Sequence, residues 1–234
     1  MSRGTQNLIL LLVGLSTAVM LVKGTYLNYV KPSTLPWLIS AVVVLVGLGL
    51  AAIIRDLRHG GSEVEHGHRH QSWLAWLLLI PIAMVAFVVP PALDARGTSQ
   101  QAAVSAPQRR AFPPLPPGPA PALSLPEAVM RAAADSTNSL DGRSITLTGF
   151  TLHQSGGADL GRVVIVCCAA DAQLARVHLT GPAATAAATF PEDTWLKIEG
   201  QIVPGSSHVE DGFIPTMAVS NVTRIDKPAN TYAY

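Results

Sequence analysis

Three apolar stretches, 7–22, 35–54 and 73–89, constrain this chain more than any other feature. Crossing the hydrocarbon layer of a membrane takes about 20 apolar residues, within a range of roughly 17 to 25. The second stretch meets that length outright, and Trp37 at its start suits a membrane interface. The third is slightly short, but Trp73 and Trp76 mark its headgroup end, and Pro81 is tolerable inside a span. The first has 16 residues before Lys23, whose long stem can reach back to the interface beside Tyr26 and Tyr29. The sequence therefore predicts a membrane region over 1–93 with three helical spans and a cytoplasmic loop at 55–72.

Arg3, the run 8–15 and Ser16-Thr17-Ala18 also follow the layout of a secretory signal peptide. The apolar run continues through Val22, which favours a retained span. In both cases the C-terminal part is expected outside the cytoplasmic membrane. The basic residues lean the same way: Arg3, Arg55, Arg58 and Arg69 fall on the inner side, against Lys23, Lys31 and Arg96 on the outer.

Only 13% of the residues are charged, where a soluble domain has about 25%. Residues 1–123 carry 9 Lys/Arg against 4 Asp/Glu, and residues 124–234 carry 7 against 11. A basic membrane half is thus joined to an acidic half with a net charge of −4. Phosphate binding needs a basic surface, so nucleic acid is excluded as the expected partner.

Between the halves lies a Pro/Ala-rich linker, 94–123, read as extended chain that holds the next domain off the bilayer. Ser124 and Glu127 have the spacing of a capping box, which predicts a helix through Ala134. Strand patterns follow at 145–152, 162–168, 175–179, 194–203 and 216–225, the first with a phase shift at Gly149 that suggests a bulge. Five short strands after a helix suit a small all-β domain over 124–234, an OB-like five-stranded barrel. A sandwich or an SH3-like barrel is the alternative.

Two groups of residues can carry chemistry. Cys167 and Cys168 are the only cysteines. Trans neighbours have Cα atoms about 3.8 Å apart, below the 4.4–6.8 Å of ordinary disulfides, so a bond between them would be strained. On a strand one thiol should enter the core while the other faces a groove. Asp171 just beyond can turn back toward Cys168, and His178 on the following strand can reach the same spot, a donor set that suits zinc. Buried cysteines beside a turn aspartate are the plainer reading of the same residues. The second group is the loop with His59, Glu63, Glu65, His66, His68 and His70, imidazoles and carboxylates suited to zinc or nickel.

Cys168-Ala169-Ala170-Asp171, the strand from Trp195 to Gly200, and Lys227-Pro228 followed by Tyr232-Ala233-Tyr234 complete a pattern with the three apolar segments. In that pattern the chain resembles the YcgQ-type family of bacterial membrane proteins, described as subunits of a permease system. The resemblance implies a YcgR-type multispan permease as partner, besides membrane lipid, and contact of Cys168, Asp171 and Trp195 with ligand or partner. The histidine loop here has four His and no Cys, poorer than loops of that family can be. The expected function is a non-enzymatic accessory subunit of a permease, linked to divalent metal. A stand-alone membrane-anchored metal-binding or sensing protein, and an extracytoplasmic thiol enzyme using Cys168, stay open as alternatives.

Overall fold

A computed structural model of the protein describes residues 3–58, 93, 108–154 and 157–234. The chain divides into two compact units, Met1–Pro91 and Ala92–Tyr234. In the first, α1 (Arg3–Val22) and α2 (Leu35–Arg58) are joined through two short 3-10 turns, Thr25–Asn28 and Pro32–Thr34. The helices lie antiparallel and close. A Cβ on Gly14 would sit 2.8 Å from Val46 Cγ2, and one on Gly49 would sit 3.3 Å from Leu11 Cβ. Small residues at these positions let the two backbones approach. Gly47, by contrast, has open space where a Cβ would be.

Among the described residues one helix, Pro32–Arg55, is long and apolar enough to cross a membrane. The apolar part of α1, Asn7–Val22, is shorter. On α2 the side chains of Trp37, Val43, Val44, Leu48 and Ile54 are exposed. The third apolar stretch, 73–89, and the histidine loop from His59 lie outside the described residues. Among the described residues there is thus one candidate span, and the third expected span is not among them.

The linker departs from the free tether expected of it. Its residues 94–107 lie outside the described residues, but from 108 onward it is laid on the C-terminal unit. Arg110 donates to Ala134 O, Ser136 donates to Arg110 O, and Thr146 donates to Pro121 O while accepting from Leu123 N. Phe112 lies under the guanidinium groups of Arg110 and Arg131, at 4.8 and 5.1 Å from its ring centre. Extended proline-rich chain keeps its remaining backbone groups free to bond. That freedom lets this stretch dock on a protein surface as readily as it spans a gap.

Helix α3 (Leu125–Ala134) forms where the sequence predicts it. Ser124 Oγ accepts from Glu127 N at 3.3 Å, one half of the expected box. The Glu127 carboxylate does not return to the cap. It accepts two bonds from Arg131, at 3.0 and 2.7 Å, because that buried guanidinium needs an anion more than an exposed amide does.

Five strands follow: β1 (Ser144–Gln154), β2 (Gly157–Val164), β3 (Gln173–Thr180), β4 (Trp195–Ile202) and β5 (Thr216–Arg224). They close into a barrel of order β1-β2-β3-β5-β4, with β3 and β5 parallel and the other pairs antiparallel. A five-residue helix that the sequence reading lacks, α4 (Ala184–Ala188), joins β3 to β4 and buries Ala184 and Ala187. Ile145, Leu147, Leu160, Val177, Leu196, Ile198 and Met217 fill the barrel and are fully buried.

The phase shift in β1 has a different cause from the expected bulge. Pairing with β4 is continuous from Ser144 to Phe150, and the bulge lies in the β4–β5 pair, where Ser220 of β5 is the extra residue opposite Glu199/Gly200. Phe150 and Leu152 instead turn to a second apolar cluster with Val163, Ile165, Trp195 and Tyr232. Gly149 is required for close approach: a Cβ there would press on the carbonyl oxygen of Gly161. The second cluster is closed by the C-terminal tail. Ala233 donates to Val163 O and accepts from Ile165 N. Arg162 donates to Asn230 O and Tyr232 O at 3.0 and 3.3 Å. The Tyr232 hydroxyl accepts from Leu93 N at 2.9 Å.

Candidate functional site

The sequence suggests a strand through Cys168, but β2 stops at Val164. Ile165 is still buried, whereas Val166 is 68% exposed. Asp171 explains the exit. Its Oδ1 accepts from Val166 N at 2.8 Å, and its Oδ2 accepts from Cys167 N at 2.8 Å and Cys168 N at 3.3 Å. Three amides that a strand would place in its ladder are instead gathered on one carboxylate. A single 3-10 turn, Ala169–Asp171, brings the carboxylate back to them, with Asp171 N donating to Cys168 O at 3.0 Å.

The collar fixes where the thiols go. Neither enters the core: Cys167 is exposed, Cys168 is half-buried, and both are free. Their sulfurs are 3.6 Å apart. One donor atom from each of Cys167, Cys168 and Asp171 lies within 4.8 Å of the others, and these are the only such cluster of three among the described residues.

The electrostatics follow from this proximity. The Cys167 thiol and the backbone amides hold the Asp171 carboxyl down at about 2. In return the Asp171 carboxylate, and then the Cys168 thiol, push Cys167 up to about 11. A reactive cysteine needs its thiolate favoured by cationic surroundings. Here an anion favours the protonated thiol, the reverse of an activated nucleophile.

A borderline-soft cation fits the donors. With Zn–S bonds of about 2.3 Å, two thiolates on one tetrahedral ion sit roughly 3.8 Å apart, close to the 3.6 Å observed. A carboxylate has about four lone-pair sites. Backbone amides take three of them, which leaves one for the thiol proton or, once that proton has left, for the ion. Two sulfurs and one oxygen leave a fourth tetrahedral position open to solvent or to an exchanging partner.

The other sequence candidates lie elsewhere. His178 does not join this cluster. It is five residues beyond Gln173 on β3, roughly 17 Å along the strand at about 3.3 Å per residue. Its Nδ1 meets Asp159 Oδ1 at 2.7 Å, and Asp159 is buried. Trp195 is not a surface contact but a buried member of the second cluster. It stands edge-on to Phe150, with ring centres 5.8 Å apart, and lies beneath the Arg162 guanidinium at 5.3 Å. His59, Glu63, Glu65, His66, His68 and His70 are outside the described residues. The plainer sequence reading, a turn aspartate making local hydrogen bonds, holds for Asp171, which caps amides three to five residues before it. Its core placement of the cysteines does not hold.

Residues 127–234 match the family model described as the DUF1980 C-terminal domain, a domain of unknown function. The match takes in most of α3, the barrel, the thiol loop and the tail. No curated protein and no solved structure matches the chain.

Proposed function

We propose that this chain is a non-enzymatic accessory subunit of a membrane permease, and that its C-terminal barrel carries a divalent cation, zinc foremost, on the Cys167–Cys168–Asp171 loop. The observation that carries this is the set of three donors within 4.8 Å on an exposed loop that backbone hydrogen bonds hold in place. Closed four-ligand sites build structure, while sites with an open position do chemistry or exchange. The barrel core is complete without this loop, so an ion held here is cargo.

The anchoring is part of the same proposal. The apolar stretches 7–22, 35–54 and 73–89 form three spans, the loop 55–72 faces the cytoplasm, and the barrel lies on the outer side. His59, Glu63, Glu65, His66, His68 and His70 concentrate the same cation at the inner face. The strand order, with β3 parallel to β5, supports a barrel of the OB type. The partner, as the YcgQ-type resemblance implies, is a YcgR-type multispan permease that exchanges the ion through the open position.

Zinc titration of the reduced full-length protein against a chelator tests this, with the Cys167→Ser/Cys168→Ser variant alongside to subtract the histidine loop. A thiol-dependent site tighter than about 100 μM, of the order of −5.5 kcal/mol, supports the reading. Identical curves for the two proteins contradict it.

A further inference from the structure

We propose that the Cys167–Cys168 pair is a redox gate on this loop, open to a cation as a dithiol and closed to it as a vicinal disulfide. The proposal rests on the cation reading above and adds its control. The two sulfurs are 3.6 Å apart, both thiols are free, and Cys167 is exposed. A bond of about 2.05 Å needs an approach of only about 1.5 Å. The chain has no third cysteine, so within the molecule each thiol has one possible partner.

The backbone decides what kind of bond this is. Neighbouring Cα atoms about 3.8 Å apart fall short of the ordinary disulfide range, so the ring is strained. Strained and exposed disulfides have more oxidising potentials and are the labile, regulatory ones. Closure also acts on the collar. It turns the peptide between the two cysteines, whose N–H is the Cys168 donor to Asp171 Oδ2. Oxidation therefore removes both sulfur donors and loosens the third ligand together.

The oxidant is a disulfide, from a small molecule or a protein, of the kind available outside the cytoplasm. The Cys167 sulfur attacks one sulfur of RSSR, forms a mixed disulfide and expels the first RS−, which takes up the thiol proton. The Cys168 sulfur then attacks the Cys167 sulfur, forms the ring and expels the second RS−, which takes up the other proton. Two electrons pass from the protein dithiol to RSSR, giving two RSH. Any ion on the sulfurs leaves as they become a disulfide. Two equivalents of thiol run both steps backwards.

The test uses the full-length protein in detergent, equilibrated with mixtures of oxidised and reduced glutathione. After acid quenching and alkylation with N-ethylmaleimide, intact mass reads the ring, and chelator competition reads zinc in each state. Oxidised protein should lose both alkylation sites with no added mass. Its thiol-dependent zinc affinity should fall by roughly two orders of magnitude, because no soft donor is left in the loop. Reduced glutathione should restore both. A reduced protein that binds zinc but yields only a glutathione adduct or a covalent dimer overturns the gate and leaves the cation reading standing. Ring-closed protein that keeps its zinc affinity also overturns the gate. A reduced protein with no thiol-dependent zinc affinity overturns the cation reading itself, whatever the ring does.

Discussion

Replacing Asp171 by Asn should make Cys167 more reactive, not less. The Asp171 carboxylate is the largest cause of the rise of the Cys167 thiol from 9.0 to about 11, with Cys168 contributing next. Removing the whole shift would raise the thiolate fraction at neutral pH by two powers of ten. The gain in rate is smaller, because intrinsic nucleophilicity falls with thiol pKa with a coefficient of about 0.4–0.5. A two-unit fall thus costs nearly one power of ten in nucleophilicity, which leaves a ceiling of about 10-fold. Since Asp171 is only part of the cause, the expected gain is about 3- to 10-fold. Iodoacetamide labelling, resolved at Cys167 by peptide mass spectrometry across pH, measures it. The wild-type rate should still be climbing at pH 10, while the variant should level off nearer 9. A slower or unchanged Asp171→Asn protein, or a wild-type plateau below pH 9, would refute the electrostatic reasoning.

The depressed Asp171 carboxyl sets a second expectation. A lowered folded-state pKa gives stability that is present above the ordinary carboxylate pKa and lost as pH falls through about 2. The amide resonances of Val166 and Cys167 should therefore hold their positions down to about pH 3 and move only below it; movement centred near pH 4 contradicts the collar. Gly149→Ala should destabilise the barrel by about 2 kcal/mol or more, since the new methyl meets a backbone carbonyl that cannot move aside. For a domain of this size that lowers Tm by roughly 8 °C or more, and a shift under 2 °C by circular dichroism would contradict the close approach. Tyr232→Ala should cost about 3–5 kcal/mol as the second cluster loses its aromatic cover. Tyr232→Phe should cost only about 1–3 kcal/mol, leaving Leu93 N without its acceptor; equal losses in denaturant titrations would mean that the cluster is not packed as described.

What the sequence makes legible is what local periodicity carries. Apolar and polar residues alternate along β4, which assigns Leu196 and Ile198 to one face and Lys197 to the other, and the structure buries the first two and exposes the third. Ser124 marked the start of α3 correctly. The errors have physical causes outside that pattern. Val166, Cys167 and Cys168 continue the apolar run of β2, but one carboxylate takes their amides, and hydrogen bonding overrides propensity there. Phe150, Leu152 and Trp195 belong to a core that exists only because the tail from Asn230 folds back over the barrel wall, a contact far away in sequence. His178 follows Cys168 on the next strand, which in sequence lets the two meet, yet Cys168 precedes β3 and His178 lies close to its far end, beside Asp159. At the site, the residue types were readable and the division of labour was not. Asp171 is first a collar for the backbone, and Cys167 rather than Cys168 is the exposed thiol.

The most direct test of the central claim is cobalt(II) substitution of the reduced full-length protein, read by absorption. Thiolate-to-cobalt charge transfer reports sulfur ligands alone, so histidines on the loop 55–72 do not contribute to it. The expected result is a charge-transfer band with the intensity of two thiolates and tetrahedral d–d bands, saturating at one cobalt, lost in Cys167→Ser/Cys168→Ser and displaced by zinc. Cobalt binding with no charge-transfer band, or with a band that survives loss of both cysteines, would contradict the assignment of Cys167, Cys168 and Asp171 as a cation site.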